Sequence, residues 1–170
     1  EAAMILKAIN DFERISDHSV NILESAEEIT EKELELTESA VEQLDVFTSA
    51  IEEILDLSLQ AYKNYDIDIA CKVEPLEQVI DKLKKQLKAM HIGRLQNGEC
   101  TIELGFVFTD LLTNYERVSD HCSNIAVCQI QISKSVFDTH EYLNNYKSSG
   151  SETFTHSFDE YKDKYVLPAK

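Results

Sequence analysis

The sequence predicts an all-α fold, an antiparallel up-down helical bundle of long helices joined by short turns. Apolar residues recur at three- and four-residue spacing along most of the chain. Only four glycines and two prolines occur in 170 residues, which leaves little turn material for a many-stranded sheet. A decapeptide also occurs twice, as ERISDHSVNI at 13–22 and as ERVSDHCSNI at 116–125. We interpret this duplication as an internal repeat of one structural unit.

The first half of the chain predicts two helices, A and B. Helix A runs from residue 1 to about residue 28, and we expect its apolar stripe to face the bundle: Ile5, Ile9, Phe12, Ile15, Ile22 and Ala26. Helix B runs from about residue 38 to residue 65, after a cap that Thr37 and Ser39 offer. Its stripe is Val41, Leu44, Phe47, Ile51, Ile54, Leu55 and Tyr62. We interpret Glu52 and Glu53 on this helix as exposed charge.

The second half predicts helices C and D. Helix C carries the stripe Ile69, Val73, Leu76, Ile80, Leu83, Leu87 and Met90. Pro75 either kinks this helix or lies in the first turn of a helix that begins near Val73. After the turn at Asn97 and Gly98, helix D runs from about residue 100 to residue 133, with the stripe Leu104, Phe108, Leu111, Tyr115, Val118, Cys122, Ile125 and Gln129.

Beyond residue 134 the helical pattern weakens. Residues 147–152 indicate a flexible linker, and residues 154–165 form a tail that either docks as one helix or is disordered. No apolar run approaches the length of about 20 residues that a membrane-spanning helix needs, and no basic leader opens the chain. We therefore expect a soluble, unprocessed chain.

Composition also excludes some classes of partner. The formal net charge of -16 repels the phosphates of nucleic acid and anionic lipid, so we expect no nucleic-acid partner. The four cysteines show no C-x-x-C spacing and lie in apolar or helical context. We interpret them as buried, reduced core thiols in a reducing compartment.

Three columns of acidic residues are candidates for chemistry. Residues four apart stack on one helix face, which groups Glu13, Asp17 and Asn21 on helix A, Glu116, Asp120 and Asn124 on helix D, and Glu74, Glu77 and Asp81 on helix C. Like charges at this spacing cost a few tenths of a kcal/mol, and a hard cation with oxygen ligands would offset that cost. The alternative is a solvated acidic face without any ligand.

The columns predict a metal site in a surface groove between helices C and D. On helices A and D the acids project away from the apolar stripe, which avoids burial of unpaired charge. We expect Glu77 and Asp81 to face Glu116 and Asp120, with Glu74 and Asn124 at the edge. Oxygen-only ligation favours magnesium, manganese or ferric iron over zinc held by thiolate. Glu13 and Asp17 form a further candidate pair on helix A.

The duplicated decapeptide resembles the signature helix of PhoU-type domains. The resemblance implies repeated three-helix units whose Glu/Asp-x-x-x-Asp motifs carry multinuclear metal sites. Residues 36–133 then correspond to one complete repeat, and residues 1–30 to the third helix of a truncated preceding repeat that packs with it as one bundle. Residues 134–170 are linker and tail, in which 140–143 and 161–167 are similar to the ends of symporter-linked PhoU-like domains.

The resemblance also implies a function. Such domains occur as free regulators of phosphate uptake and as cytoplasmic C-terminal extensions of bacterial sodium/phosphate symporters. We therefore expect a metal-binding regulatory domain without a catalytic step, at the inner face of the plasma membrane, with a membrane phosphate transporter as its partner in cis or in trans. Helix A either completes the bundle or pairs across a two-fold axis in a homodimer.

Other functions compete with this interpretation. A di-iron helical enzyme needs Glu-x-x-His pairs on two helices, and none of the five histidines has glutamate three residues before it. A phosphotransfer bundle would use His91, but the lysine and glycine pattern of such domains is missing. His18 and His121 follow the motif aspartates and are interpreted as structural or capping residues. A helical interaction scaffold without metal stays open as the alternative.

Overall fold

The computed structural model describes residues 2–134 and 152–168. These residues form five α-helices and no strand: α1 (Ala2–Glu31), α2 (Glu38–Asn64), α3 (Ile67–Gln96), α4 (Ile102–Lys134) and α5 (Glu152–Lys164). The all-α prediction is confirmed, and α1 to α4 are the predicted helices A to D. The predicted linker lies outside the described residues except for Glu152.

Side-chain caps fix the turns between the helices. The Thr37 hydroxyl accepts a hydrogen bond from the Ala40 amide at 3.2 Å, and the Asp66 carboxylate accepts one from the Ile69 amide at 3.0 Å. Tyr65 adopts a left-handed backbone conformation, with φ of 56°, and ends α2 directly before the cap of α3. Such tight connections place successive helices antiparallel to each other.

The core lies between α2, α3 and α4. Most of the predicted stripes of these helices point into it, and the following side chains have no exposed area: Phe47, Ile54, Val73, Leu76, Ile80, Leu87, Phe108, Cys122 and Ile125. Val41 is an exception, because its side chain is exposed at the start of α2. Burial of this apolar surface is the main favourable contribution to folding.

Pro75 lies inside α3, not in its first turn. The helix begins at Ile67, after the Asp66 cap, and continues through the proline to Gln96. The predicted alternative of a helix that begins near Val73 is therefore wrong. Pro75 is buried between Glu74 and Leu76, so packing against the core stabilises the position that the missing backbone N–H weakens.

Helix α1 packs against α4, and the prediction for its buried face is wrong in part. Ile5 and Ile9 are 39% and 55% exposed, whereas Ala8, Asp11 and Ser25 are buried. The reason is that α4 presents polar groups at this contact. The His121 ring bonds to Asp11 at 2.8 Å between Nδ1 and Oδ1, which fixes the rotation of α1 about its axis more strongly than apolar periodicity does.

The C-terminal tail docks on the bundle. Helix α5 packs on α3, where the Lys82 ammonium lies 4.0 Å from the centre of the Phe158 ring. Beyond α5, the Tyr165 hydroxyl donates to Glu53 and to the Ser49 carbonyl, the latter at 3.3 Å. Of the two alternatives for the tail, the docked helix is therefore the observed one. Glu53 anchors it and is not simply exposed charge.

The four cysteines differ in how far they are buried. Cys122 and Cys128 are buried, while Cys71 and Cys100 are partly buried. Burial raises the pKa of the Cys122 thiol to about 12, as expected for an unreactive core thiol.

Within residues 2–134 and 152–168, no helix combines the length and the apolar character that crossing a membrane requires.

Candidate metal centre

Three carboxylates converge in the groove between α3 and α4. Glu77 and Asp81 lie one turn apart on α3, and Asp120 projects towards them from α4. One ligand oxygen from each lies within 4.8 Å of the other two, and all three residues are partly buried. The antiparallel packing of neighbouring helices therefore brings together acids that are far apart in sequence.

Glu116 is held differently from the other predicted ligands. It lies one turn before Asp120 on α4, but its carboxylate accepts a hydrogen bond from the ammonium of Lys84 on α3. Both side chains of this ion pair are largely buried. The groove thus contains a cluster of three carboxylates and, beside it, a carboxylate that already has a cation.

Negative charge is crowded at Asp120. Desolvation by burial raises the pKa of its carboxyl above the ordinary value, and the nearby charges of Glu116 and Asp81 raise that pKa further. The Arg117 guanidinium opposes them through a 3.0 Å hydrogen bond. The raised pKa means that the ionised form is disfavoured, so a bound cation would stabilise it.

Exposed basic side chains also contact the cluster. Lys85 lies 3.8 Å from Asp81, and Arg117 lies 3.0 Å from Asp120, each within one turn of the same helix. Ion pairs of this kind in solvent contribute about 0–1 kcal/mol. A metal ion would therefore displace them at little cost.

The two residues predicted at the edge of the site have other partners. Glu74 is buried and accepts a hydrogen bond from the Ser123 hydroxyl at 2.5 Å, and it does not belong to the close carboxylate group. The Asn124 amide donates to Asp11 at 3.3 Å. Both residues therefore connect helices around the groove.

The acidic pair of α1 lies apart from this groove. Glu13 and Asp17 are exposed, and Asp17 lies 3.8 Å from Arg14 on the same helix. Within the part of the chain that the structure describes, no third His, Cys, Asp or Glu joins them in a group close enough to hold an ion. Their role as metal ligands stays a prediction.

Sequence reasoning missed Lys84 and Asp11. Lys84 is three residues after Asp81, a spacing that places it on the same face of α3, and this signal was available. Asp11 precedes the first decapeptide by two residues, as Asn114 precedes the second. Alignment of the residues that flank the two decapeptides would have matched Asp11 with Asn114.

The donor set fits a hard cation. Three carboxylates offer oxygen ligands only. Magnesium, manganese and ferric iron bind oxygen ligands, whereas zinc-thiolate sites use sulfur ligands. The site is partly open to solvent, so water can complete the coordination shell. Glu77, Asp81 and Asp120 are therefore the residues that would hold the ion.

The matches to known proteins cover the part of the chain that contains this groove. The family model of the PhoU domain matches residues 44–128, half of the chain, which includes the whole groove. The chain is also 32% identical over 150 residues to the phosphate-specific transport system accessory protein PhoU homolog 1 of Thermotoga maritima. That alignment covers 87% of this chain and 62% of the relative, so the chain spans less than two thirds of the relative's length. No solved structure matches the chain significantly.

Proposed function

This chain belongs to the PhoU domain family, and from that membership we propose that it is a metal-binding regulatory domain of a phosphate-uptake system. More narrowly, we propose that it acts with a sodium-dependent phosphate transporter at the cytoplasmic face of the plasma membrane, either in the same polypeptide or as a separate subunit. The name of the Thermotoga relative, an accessory protein of phosphate transport, supports the partner class. This function involves no catalytic reaction.

The observation that carries the metal function is the convergence of Glu77, Asp81 and Asp120 in one groove. Their charges repel one another when no cation is present, and a bound ion would connect α3 to α4 through oxygen ligands. Binding of the ion would then change the rigidity of the bundle. A membrane partner in contact with the surface of the bundle could respond to that change.

We also propose the domain organisation that the repeat predicts. Residues 36–133 form a complete three-helix repeat, and residues 1–30 are the third helix of another. In support, α1 bears a second apolar face that the bundle leaves exposed, formed by Ile5, Leu6, Ile9, Val20 and Leu23. Either helices of that other repeat or a second copy of the chain would cover it. A monomer by sedimentation at micromolar concentration, with α1 still resistant to protease, would exclude the homodimer.

A thermal-shift series tests the metal function. An ion that binds only the folded state stabilises it by about 2.7 kcal/mol at one hundred times its dissociation constant. We therefore expect manganese, magnesium or ferric ions to raise the Tm of the chain, and Asp81→Asn with Asp120→Asn to abolish that rise. Asp45→Asn with Asp56→Asn is the matched control, because it neutralises two exposed aspartates of α2 that are not candidate ligands.

The second candidate function is a helical interaction scaffold without metal. It is favoured by the basic partners of the acids, since Lys84, Lys85 and Arg117 each contact one carboxylate of the groove. Indifference of the Tm to all three ions, or an equal response in the Asp81/Asp120 double variant, would establish this function in place of the first.

A further inference from the structure

We propose that Arg94, at the N-terminal end of α2, forms a binding site for a small oxyanion such as phosphate. The site lies outside the carboxylate groove and needs no metal ion, so it goes beyond the function proposed above. Arg94 is in the last turn of α3, and it is only 1% exposed. Because a guanidinium keeps its charge near neutral pH, the bundle buries a permanent cation at this position.

Hydrogen bonds satisfy this cation only in part. Its Nη2 donates to the Ser39 hydroxyl at 3.3 Å and to the side-chain oxygen of Gln43, and both of these acceptors are neutral. Among the residues that the structure describes, Nε and Nη1 of Arg94 have no hydrogen-bond acceptor, although both atoms are buried. Buried donors are normally paired, and a charged donor without an acceptor is especially unfavourable. These two nitrogens therefore point to a ligand with acceptor oxygens.

The start of α2 favours the same kind of ligand. Ser39 is the second residue of α2, so its contact with Nη2 places the guanidinium at the N-terminus of that helix. The first amides of a helix have no acceptor within the helix, and the aligned peptide dipoles attract negative charge there. A buried guanidinium and a helix N-terminus thus meet at one point, and both bind anions.

His91 gives the site a preference among oxyanions. It lies three residues before Arg94 on the same face of α3, its ring is buried, and neither ring nitrogen has a partner within the described part of the chain. Burial and the charge of Arg94 lower its pKa, so the neutral ring offers one donor and one acceptor. Gly105 leaves space beside the ring, since a Cβ there would lie 3.4 Å from Nε2. Phosphate carries a proton near neutral pH and can pair with both ring nitrogens, whereas sulfate has no proton to donate.

A pocket at this end of the bundle limits the size and charge of the ligand. It has a volume of about 350 Å³ and lies between the turns that precede α2 and α4, with Cys100 in its wall. Burial raises the pKa of the Cys100 thiol and the Arg94 guanidinium opposes that rise, so the guanidinium lies near this wall. The pocket is also lined by Glu33, Glu35 and Glu99. Their charge disfavours anions that are large or multiply charged, which leaves small ions of low charge.

The test compares Arg94→Gln with Lys88→Gln, which removes the same charge from an exposed position of the same helix. The probe is phosphate, measured against sodium chloride of equal ionic strength, with a chelator in every sample. We expect millimolar phosphate to raise the Tm of the parent and of Lys88→Gln. Calorimetric titration should show phosphate binding at least about tenfold weaker in Arg94→Gln. Sulfate should bind the parent more weakly than phosphate does.

A second pair of variants keeps the test decisive if Arg94→Gln does not fold. Ser39→Asp places a carboxylate beside the guanidinium, where it substitutes for the anion. The phosphate-free Ser39→Asp protein should melt at a higher temperature than the parent, and phosphate should not raise that temperature further. Ser39→Asn, which has nearly the same size and no charge, should keep the response to phosphate.

Three results would overturn the site. These are an equal response of the parent to phosphate and chloride, an undiminished affinity for phosphate in Arg94→Gln, and an undiminished response in Ser39→Asp. Each would mean that water alone solvates the buried guanidinium. Equal affinity for sulfate and phosphate would overturn the role of His91. None of these results bears on the carboxylate groove, because the chelator keeps metal ions out of every sample.

Discussion

The imidazole rings of His18 and His121 stack at the contact between α1 and α4, with their centroids 5.6 Å apart and their planes 24° from parallel. The two histidines hold the same position in the two decapeptides. Their partners are equivalent as well, because His121 bonds to Asp11 at 2.8 Å and His18 bonds to Asn114 at 2.9 Å. The repeat therefore builds a nearly two-fold symmetric contact, in which a carboxylate on one side replaces an amide on the other.

That difference predicts the stability of Asp11 variants. Asp11 is buried, and its Oδ1 is within hydrogen-bonding distance of His121 and Asn124. Asp11→Ala removes the acceptor from both, and we expect it to lower the free energy of unfolding by about 2–4 kcal/mol. Asp11→Asn keeps an oxygen in place, as Asn114 has, and should cost about 1 kcal/mol. Urea unfolding measures both, and equal losses would show that the acceptor is unimportant.

His91 predicts a loss of stability in mild acid. Its ring is buried against Phe108, and desolvation by burial, followed by the charge of Arg94, lowers its pKa. Below about pH 6.5 the His91 ring is therefore protonated in the unfolded chain but stays neutral in the folded chain. The contribution of His91 to the free energy of unfolding is fully present above that pH. It decreases as the pH falls towards the lowered pKa, by at most about 1.4 kcal/mol per pH unit.

A pair of histidine variants checks this dependence. His91→Gln should reduce the difference in unfolding free energy between about pH 7.5 and about pH 5.5, since it removes the group whose pKa differs between the two states. His156→Gln, at an exposed position of α5, should leave that difference unchanged. A parent protein whose stability does not fall over this range would contradict the prediction.

Tyr165 predicts how firmly the tail is held. Its hydroxyl donates to Glu53 and Ser49, and Lys164 lies 2.9 Å from the same Glu53 carboxylate. We expect Tyr165→Phe to weaken docking of the tail by about 1 kcal/mol and to speed amide exchange in α5 about fivefold. Tyr65→Phe, at an exposed tyrosine, is the control. Unchanged exchange would mean that apolar packing holds the tail without the hydrogen bonds.

Two phenylalanines of α4 predict the contribution of the core. Phe108 is fully buried, while Phe106 on the same helix is 70% exposed. Phe108→Ala removes a ring from the packed core and should cost about 3–5 kcal/mol, whereas Phe106→Ala should change stability by no more than about 0.5 kcal/mol. Guanidinium unfolding of both variants measures the contrast. Similar losses would mean that Phe106 contacts something in solution.

The acids of the candidate site were predictable from the sequence, but the pairing of Glu116 with Lys84 was not. Spacing places Glu77 and Asp81 on one face of α3, and the duplicated motif singles out Asp120, so sequence patterns found all three carboxylates of the cluster. The ion pair of Glu116 with Lys84 depends on the register between α3 and α4. Register is set by the packing of both helices on the core, and no local pattern encodes it.

The sequence by itself determined the helices, their order and the apolar faces of α2, α3 and α4, because periodicity, caps and turn residues act over a few positions of the chain. The tertiary structure decided which face of α1 is buried, since polar partners on α4 such as His121 outweigh the exposed apolar residues Ile5 and Ile9. It also decided that the tail docks on Glu53 and that Lys84 neutralises Glu116. These contacts join residues far apart in the chain, and their energies depend on burial and distance, which exist only once the helices are packed.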